Sequence, residues 1–495
     1  MDSGYRIETR SGFELASVLA EARASDQRRR AHCRVALEPD SEPNGPMPLT
    51  ARLQTGLNLH REGRLDEAQA VYEAILTQNP AHVDALHLIG VIALQRGWHP
   101  IALAFIDQAL IHDPDFADAH LNRANVLKAL NQPRDALTAL ERVVELEPAY
   151  AEAWSNRGNL LKDMGRLDEA LASYDRALAL DPVHPDASWN KAWALLLTGD
   201  LAAGWPLHEF RWQASGRARP VHDQPQWRGE TDLAGKTLLL ESEQGFGDVL
   251  QFCRYVPLLA ARGARVLLEV ETPLRDLMAS LEGVGALITK GEPRPDYDLH
   301  CPLLSLPLAF GTTLETLPGQ TPYLAADPAR VEALAARHPR REGRARIGLV
   351  WSGGFTHLGD ERQDPRSLPL ADLLAVLPGD ADLFCLNTNF RPADLALLAT
   401  RPDITIPTLN DFADTAALIG TLDQVITIDT AVAHLAGAMA RPTTLLLHAN
   451  ADWRWLQGRN DSPWYPTVRI FRQEVAGDWI GVLGAVTWEL SDVPR

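Results

Sequence analysis

The sequence predicts a multidomain chain in which an all-α solenoid of helical repeats precedes two α/β lobes. Three observations predict it. A 34-residue period runs through residues 48–182, short apolar runs separated by helix-length segments follow from Lys236, and turns containing Gly, Asp and Thr stand after those runs. At 495 residues the chain also exceeds the roughly 250–300 residues that one hydrophobic core can serve.

The period is carried by columns. Gly56, Gly90, Ala124 and Gly158 form one, Ala68, Ala102, Ala136 and Ala170 a second, and Pro80, Pro114, Pro148 and Pro182 a third, with large residues such as Tyr72, Ile106, Leu140 and Tyr174 between them. A small residue in the first helix and an alanine in the second let two antiparallel helices approach closely, and proline stops the second helix. Such arrays present a concave groove to extended peptides or partner helices. Asn122, Asn125, Asn156, Asn159 and Asn190 lie on first helices, where amides either bind a peptide backbone or face solvent. Residues 1–47, with Arg28, Arg29 and Arg30, are too polar and irregular to pack and read as a flexible tail. Residues 183–228 read as degenerate capping helices and a linker, with Gly204 where a second-helix alanine is expected.

The first lobe, 229–330, has candidate strands at Thr237–Glu241, Arg265–Val270 and Ala286–Ile288. The second, 331–495, has them at Arg346–Trp351, Asp382–Leu386, Gln424–Ile428 and Thr443–Leu447 and is closed by a C-terminal helix. The polar stretch Thr321 to Arg344 suits a linker. Parallel sheets bind ligands beyond the carboxyl ends of their strands, so the residues following each strand are the candidates.

After the first strand, Gly245 and Gly247 would let a turn approach a ligand, and Asp248 is placed as a general base or as a helix cap. After the strand QVITI, Asp429, Thr430 and His434 open a helix whose N–H groups can hold a phosphate; capping and a packing histidine are the alternatives. After RIGLVW, Gly353 and Gly354 permit close approach, and His357, Arg362 and Arg366 offer donors. No lysine follows Lys290, so the cation facing a leaving diphosphate would be arginine or histidine, with Arg366 the first choice. Between Asp452 and Pro466 four aromatics either stack on a base or sugar or form a buried lid. The pairs Asp113/Asp115, Asp296/Asp298 and Asp380/Asp382 read as structural, and Asp411 as a cap, so no metal is required.

A net charge of −18 opposes binding to nucleic-acid phosphates or an anionic membrane face. Cys33, Cys253, Cys301 and Cys385 are far apart, which argues against a zinc site or a disulfide framework. No apolar run approaches the ~20 residues of a membrane span, and no secretion signal is evident, so the expected location is cytoplasmic.

GFGD at Gly245–Asp248 and IDTAVAHLAGA at Ile428–Ala438, in that order in two lobes, resemble the heptosyltransferase-like glycosyltransferases, and the repeats resemble the tetratricopeptide consensus. The layout is similar to bacterial repeat-containing protein glycosyltransferases, including flagellin glycosyltransferases, and to protein O-GlcNAc transferases. The resemblance implies a GT-B fold of two Rossmann-like lobes, Asp248 as base, and Asp429, Thr430 and His434 as donor-binding residues. It implies metal-independent transfer of sugar from a nucleotide-sugar co-substrate, without a cofactor, to Ser/Thr of a protein held by the repeats, flagellin being one candidate. The phosphate-binding lysine of heptosyltransferases has no counterpart here. Two other readings remain: a scaffold with an inactive transferase half, and transfer to a lipopolysaccharide core.

Overall fold

The computed structural model describes residues 48–243, 245–353 and 364–490, the last four by backbone alone. The expected tail with Arg28–Arg30 and Cys33, and the candidates Gly354, His357 and Arg362, lie outside the described residues. The chain divides into two compact units, one through Met164 and one from Gly165 onward.

The first unit is a row of helices: α1 (Leu49–Arg61), α2 (Leu65–Gln78), α3 (Val83–Gln95), α4 (His99–His112), α5 (Ala117–Ala129), α6 (Pro133–Leu146) and α7 (Ala151–Asp163). They pair as α1 with α2, α3 with α4 and α5 with α6. The columns explain the pairing. Ala68, Ala102 and Ala136 are fully buried, and a Cβ on Gly90 would lie 2.7 Å from Ile106 Cγ1, so anything larger would part the helices. A further column emerges in the turns. Gly63 and Gly97 have φ of 74° and Asn131 of 58°, the left-handed region that closes each helix, and Asn is among the residues that tolerate it.

The second unit opens with α8 (Leu167–Leu180), α9 (Pro185–Thr198) and α10 (Leu201–His208). Gly204 takes over the alanine's part, since a Cβ there would lie 2.6 Å from Leu196 Cδ2. The end of this helical stretch, α10 and the short turn of helix Arg211–Ala214 after it, docks on the α/β part. Buried Trp205 meets Trp453 edge-on at 5.3 Å and donates its Nε1–H to the Thr312 carbonyl at 2.9 Å, while Arg211 pairs with Glu243 at 2.7 Å.

Two parallel sheets follow. The first comprises β1 (Thr237–Glu241), β2 (Arg265–Val270), β3 (Val284–Thr289) and β4 (Leu299–Pro302) in the order β3-β2-β1-β4. The second comprises β5 (Arg346–Val350), β6 (Asp382–Cys385), β7 (Ile404–Thr405), β8 (Gln424–Ile428), β9 (Thr443–Leu447) and β10 (Val468–Arg472) in the order β10-β9-β8-β5-β6-β7. Strands such as β5 and β8 are buried throughout, which is why they read as continuous apolar runs. β4, β7 and β10 were not expected: β7 is two residues long, β10 leaves Arg469 exposed, and β4 carries His300 and Cys301.

Among the connecting helices are α11 (Phe246–Phe252), α12 (Pro328–Arg337), α13 (Phe412–Gly420), α14 (Ala431–Ala438) and α15 (Trp479–Leu490). The stretch expected as a linker therefore contains α12, started by Asp327, whose side chain accepts from Ala329 N–H at 2.8 Å. Among the described residues no helix is long and apolar enough to cross a membrane.

Candidate functional site

In the second sheet the winding direction reverses between β5 and β8, so the segments leaving those two strands part and open a crevice. A cavity of ≈ 420 Å³ lies there. Ser352 and Gly353 line it from the end of β5, Asn387, Thr388 and Asn389 from the end of β6, and Thr430 from the start of α14. Asp411 and Phe412 of α13 and Phe246 of α11 complete the wall. Phe246 meets Phe412 edge-on at 5.1 Å and stays 37% exposed, an apolar face available to a flat ring. Thr430 begins α14 without capping it by side chain; its hydroxyl lies 3.3 Å from that of Thr427. Asp411 does cap, accepting from Asp414 N–H at 2.7 Å, and Arg330 holds it.

Beside the cavity stands a cluster of opposite charges. Arg454 donates to Asp248 at 2.5 Å and to Asp452 at 2.8 Å. Arg366 is clasped by Asp364 at 2.7 Å and reaches the Asp429 carbonyl at 3.3 Å, adjacent to Gly353. Burial raises the Asp248 carboxyl above the usual range, with Arg454 opposing. Burial and the neighbouring Asp452 push Asp429 up to about 6. Both carboxyls therefore hold protons more readily than a surface aspartate, as a proton-accepting group requires.

The structure thus brings Gly353, Arg366, Asp429 and Thr430 together and sets Asp248 across from them on Arg454. His434 sits apart from the cavity lining. It is buried, its Nδ1 lies 2.9 Å from the Tyr465 hydroxyl, and its ring stacks on Trp455 at 5.1 Å. Burial, then Arg454 and Arg254, drives its pKa well down, so it is a neutral packing group. Gly247 was expected against a ligand; a Cβ there would instead lie 2.9 Å from His434 Cδ2, so this glycine lets α11 approach α14. Gly245 has open space around it.

Trp453, Trp455, Trp464 and Tyr465 are all buried, so the aromatic run is a lid and not a stacking surface. Arg254 lies under it, 4.8 Å from the Tyr465 ring and 4.7 Å from that of Tyr323. Arg454 lies in the same run and is not among the candidates the sequence offers; its flanking Asp452 is the signal for it. The other acidic pairs are structural: Asp298 accepts from Thr237 N–H at 2.8 Å and Asp382 from Arg344 at 2.5 Å.

In the repeats, Asn122 lies 2.9 Å from His87 Nε2 and donates to the Asp118 carbonyl at 3.1 Å. Its amide therefore links neighbouring repeats. Asn125 is exposed, and Asn156 and Asn159 are half-buried.

Models of the tetratricopeptide repeat match residues 53–119, 121–161 and 151–184, so this N-terminal stretch carries these repeats. Protein FlbA of Caulobacter vibrioides is 26% identical over 490 residues, an alignment covering 93% of this chain and 74% of FlbA. Among solved structures the chain is similar to MamA, at 20% identity over 35% of this chain and 98% of that one, TM-score 0.31. It is also similar to YrrB, described as a TPR protein with an unusual peptide-binding site, at 24% identity over 34% of this chain and 87% of that one, TM-score 0.30.

Proposed function

We propose that the protein is a glycosyltransferase that moves a sugar from a nucleotide-sugar donor to Ser/Thr hydroxyls of a protein brought by the repeats. The observation that carries this reading is the cavity between the ends of β5, β6 and β8, with the Asp248–Arg454 pair beside it.

In this reading the donor diphosphate lies at the start of α14, against Thr430, with Arg366 meeting its charge. Phe246 and Phe412 receive the base. The acceptor oxygen attacks the anomeric carbon, the bond from that carbon to the phosphate oxygen breaks, and the hydroxyl proton passes to Asp248, whose raised pKa suits a base. The tetratricopeptide repeats support a protein or peptide as acceptor. Flagellin remains a candidate through the family resemblance alone.

A scaffold whose transferase half is inactive is the second reading. It is favoured by the engagement of Asp248 with Arg454, which leaves the carboxylate no free lone pair in that direction. One experiment separates the two: Asp248→Ala, assayed by intact-mass spectrometry of surface proteins, flagellin included, from cells carrying either version. Loss of a sugar-sized mass, with donor binding kept within a few fold, supports transfer by this base. Unchanged masses in cells with and without the gene would favour the scaffold.

A further inference from the structure

We propose that His222, Glu241 and His300 bind one divalent transition-metal ion, zinc by the character of its ligands, which fastens the irregular segment 217–236 to the first sheet. Nothing in the charge cluster or the cavity described above uses these three residues.

The three donor groups are gathered at one place. His222 Nε2 lies 3.0 Å and His300 Nδ1 3.3 Å from the same oxygen, Glu241 Oε2, and the three donor atoms lie within 4.8 Å of one another. Tetrahedral ligands at zinc bond lengths stand about 3.3 Å apart; the His222 and His300 rings are stacked at 3.8 Å with 19° between their planes, so they must splay apart for both nitrogens to face one ion. The side chains are 2%, 4% and 8% exposed. His222 Nε2 lies 3.0 Å from the carboxylate as a charge contact but makes no hydrogen bond. A buried nitrogen held 3.0 Å from a carboxylate without a hydrogen bond to it is one that a metal ion between them would satisfy.

The surrounding groups hold the ligands as metal sites require. His222 Nδ1 lies 2.9 Å from the Tyr297 hydroxyl, which fixes the ring and leaves Nε2 to the centre. The second oxygen of Glu241 accepts from Arg294 at 2.9 Å, so Oε2 is the one turned to the two histidines. Two histidines and one carboxylate make a set that zinc accepts, with water in the fourth position.

The placement gives the ion its task. Glu241 ends β1, His300 lies in β4, and His222 comes from a segment without helix or strand between residues 217 and 236. That segment meets the sheet through a bridge from Gln226 to His300, with Trp227 N–H donating to the His300 carbonyl at 2.8 Å. An ion shared by His222, Glu241 and His300 would close the loop from 222 to 241 and pin the connection between the capping helices and the first lobe.

The test uses the full chain, stripped with a chelator, dialysed and titrated with zinc chloride, with bound metal measured by elemental mass spectrometry and stability by thermal unfolding. One equivalent per chain and a raised Tm are expected, lost together in His222→Ala and Glu241→Gln. Tyr297→Phe, which keeps all three ligands and serves if His222→Ala does not fold, should keep one equivalent but bind it about 10–100-fold more weakly. Cys301→Ser, beside His300 in β4, should change nothing. Zinc binding no tighter in the wild type than in His222→Ala, or binding lost in Cys301→Ser and kept in His222→Ala, would overturn the proposal.

Discussion

Arg454→Met tests how the charge cluster beside the cavity is balanced. The methionine keeps much of the arginine's apolar volume but removes the one group that touches both Asp248 and Asp452. Breaking a buried ion pair by deleting one partner costs about 3–5 kcal/mol, because the remaining charge stays buried without compensation. The cost depends on pH in a definite direction. Burial already raises Asp248 and Asp429. A carboxyl raised in the folded state binds its proton where the unfolded chain does not, so it adds stability as pH falls through the folded pKa and removes it as pH rises.

Without Arg454 both carboxyls rise further, and protons can stand in for the guanidinium. Urea unfolding followed by tryptophan fluorescence should show a loss of about 3–5 kcal/mol near pH 7.5. Near pH 5 it should shrink by about 1–3 kcal/mol, since each pH unit of protonation of one group is worth about 1.4 kcal/mol. The buried Trp453, Trp455 and Trp464 report this part of the second unit. An equal loss at both pH values, or a loss under about 1 kcal/mol at the higher one, would refute the account of the cluster.

The remaining predictions follow from packing and from the division of the chain. Gly247→Ala should destabilise by about 1–2 kcal/mol, overpacking against His434 exceeding the gain in helix propensity, whereas Gly245→Ala, with open space around it but at the N-cap of α11, where alanine caps less well than glycine, should cost less than about 1 kcal/mol in the same urea series. Deleting residues 1–164 should leave a folded second unit, because the boundary of the compact units falls there and α8 belongs with the α/β part. By the proposed function, that fragment should bind donor in a calorimetric titration yet fail to modify a protein acceptor; unimpaired modification would remove the repeats from acceptor docking.

The sequence by itself determined what depends on short-range periodicity. The helical repeats follow from columns 34 residues apart, because one helix pair recurs and must meet its neighbour in the same way each time. Strands such as β1, β2, β5, β8 and β9 were legible because burial on both faces demands unbroken apolar runs. Gly353 and Thr430 were legible as candidates because the carboxyl ends of parallel strands are where a crevice can open.

Only the tertiary structure decided which polar groups meet. Asp248 and Arg454 are 206 residues apart and pair because two lobes face each other. His434, with a spacing that suits a ligand, is withdrawn into an aromatic stack, and the glycine thought to face a ligand faces that histidine instead. His222, Glu241 and His300 have no motif spacing, yet a coil segment and two adjacent strands bring them to one point. The physical reason is common to all of these: apolar patterning is enforced residue by residue along the chain, while a charge or an imidazole acquires its role from its distance to partners that the chain delivers from elsewhere.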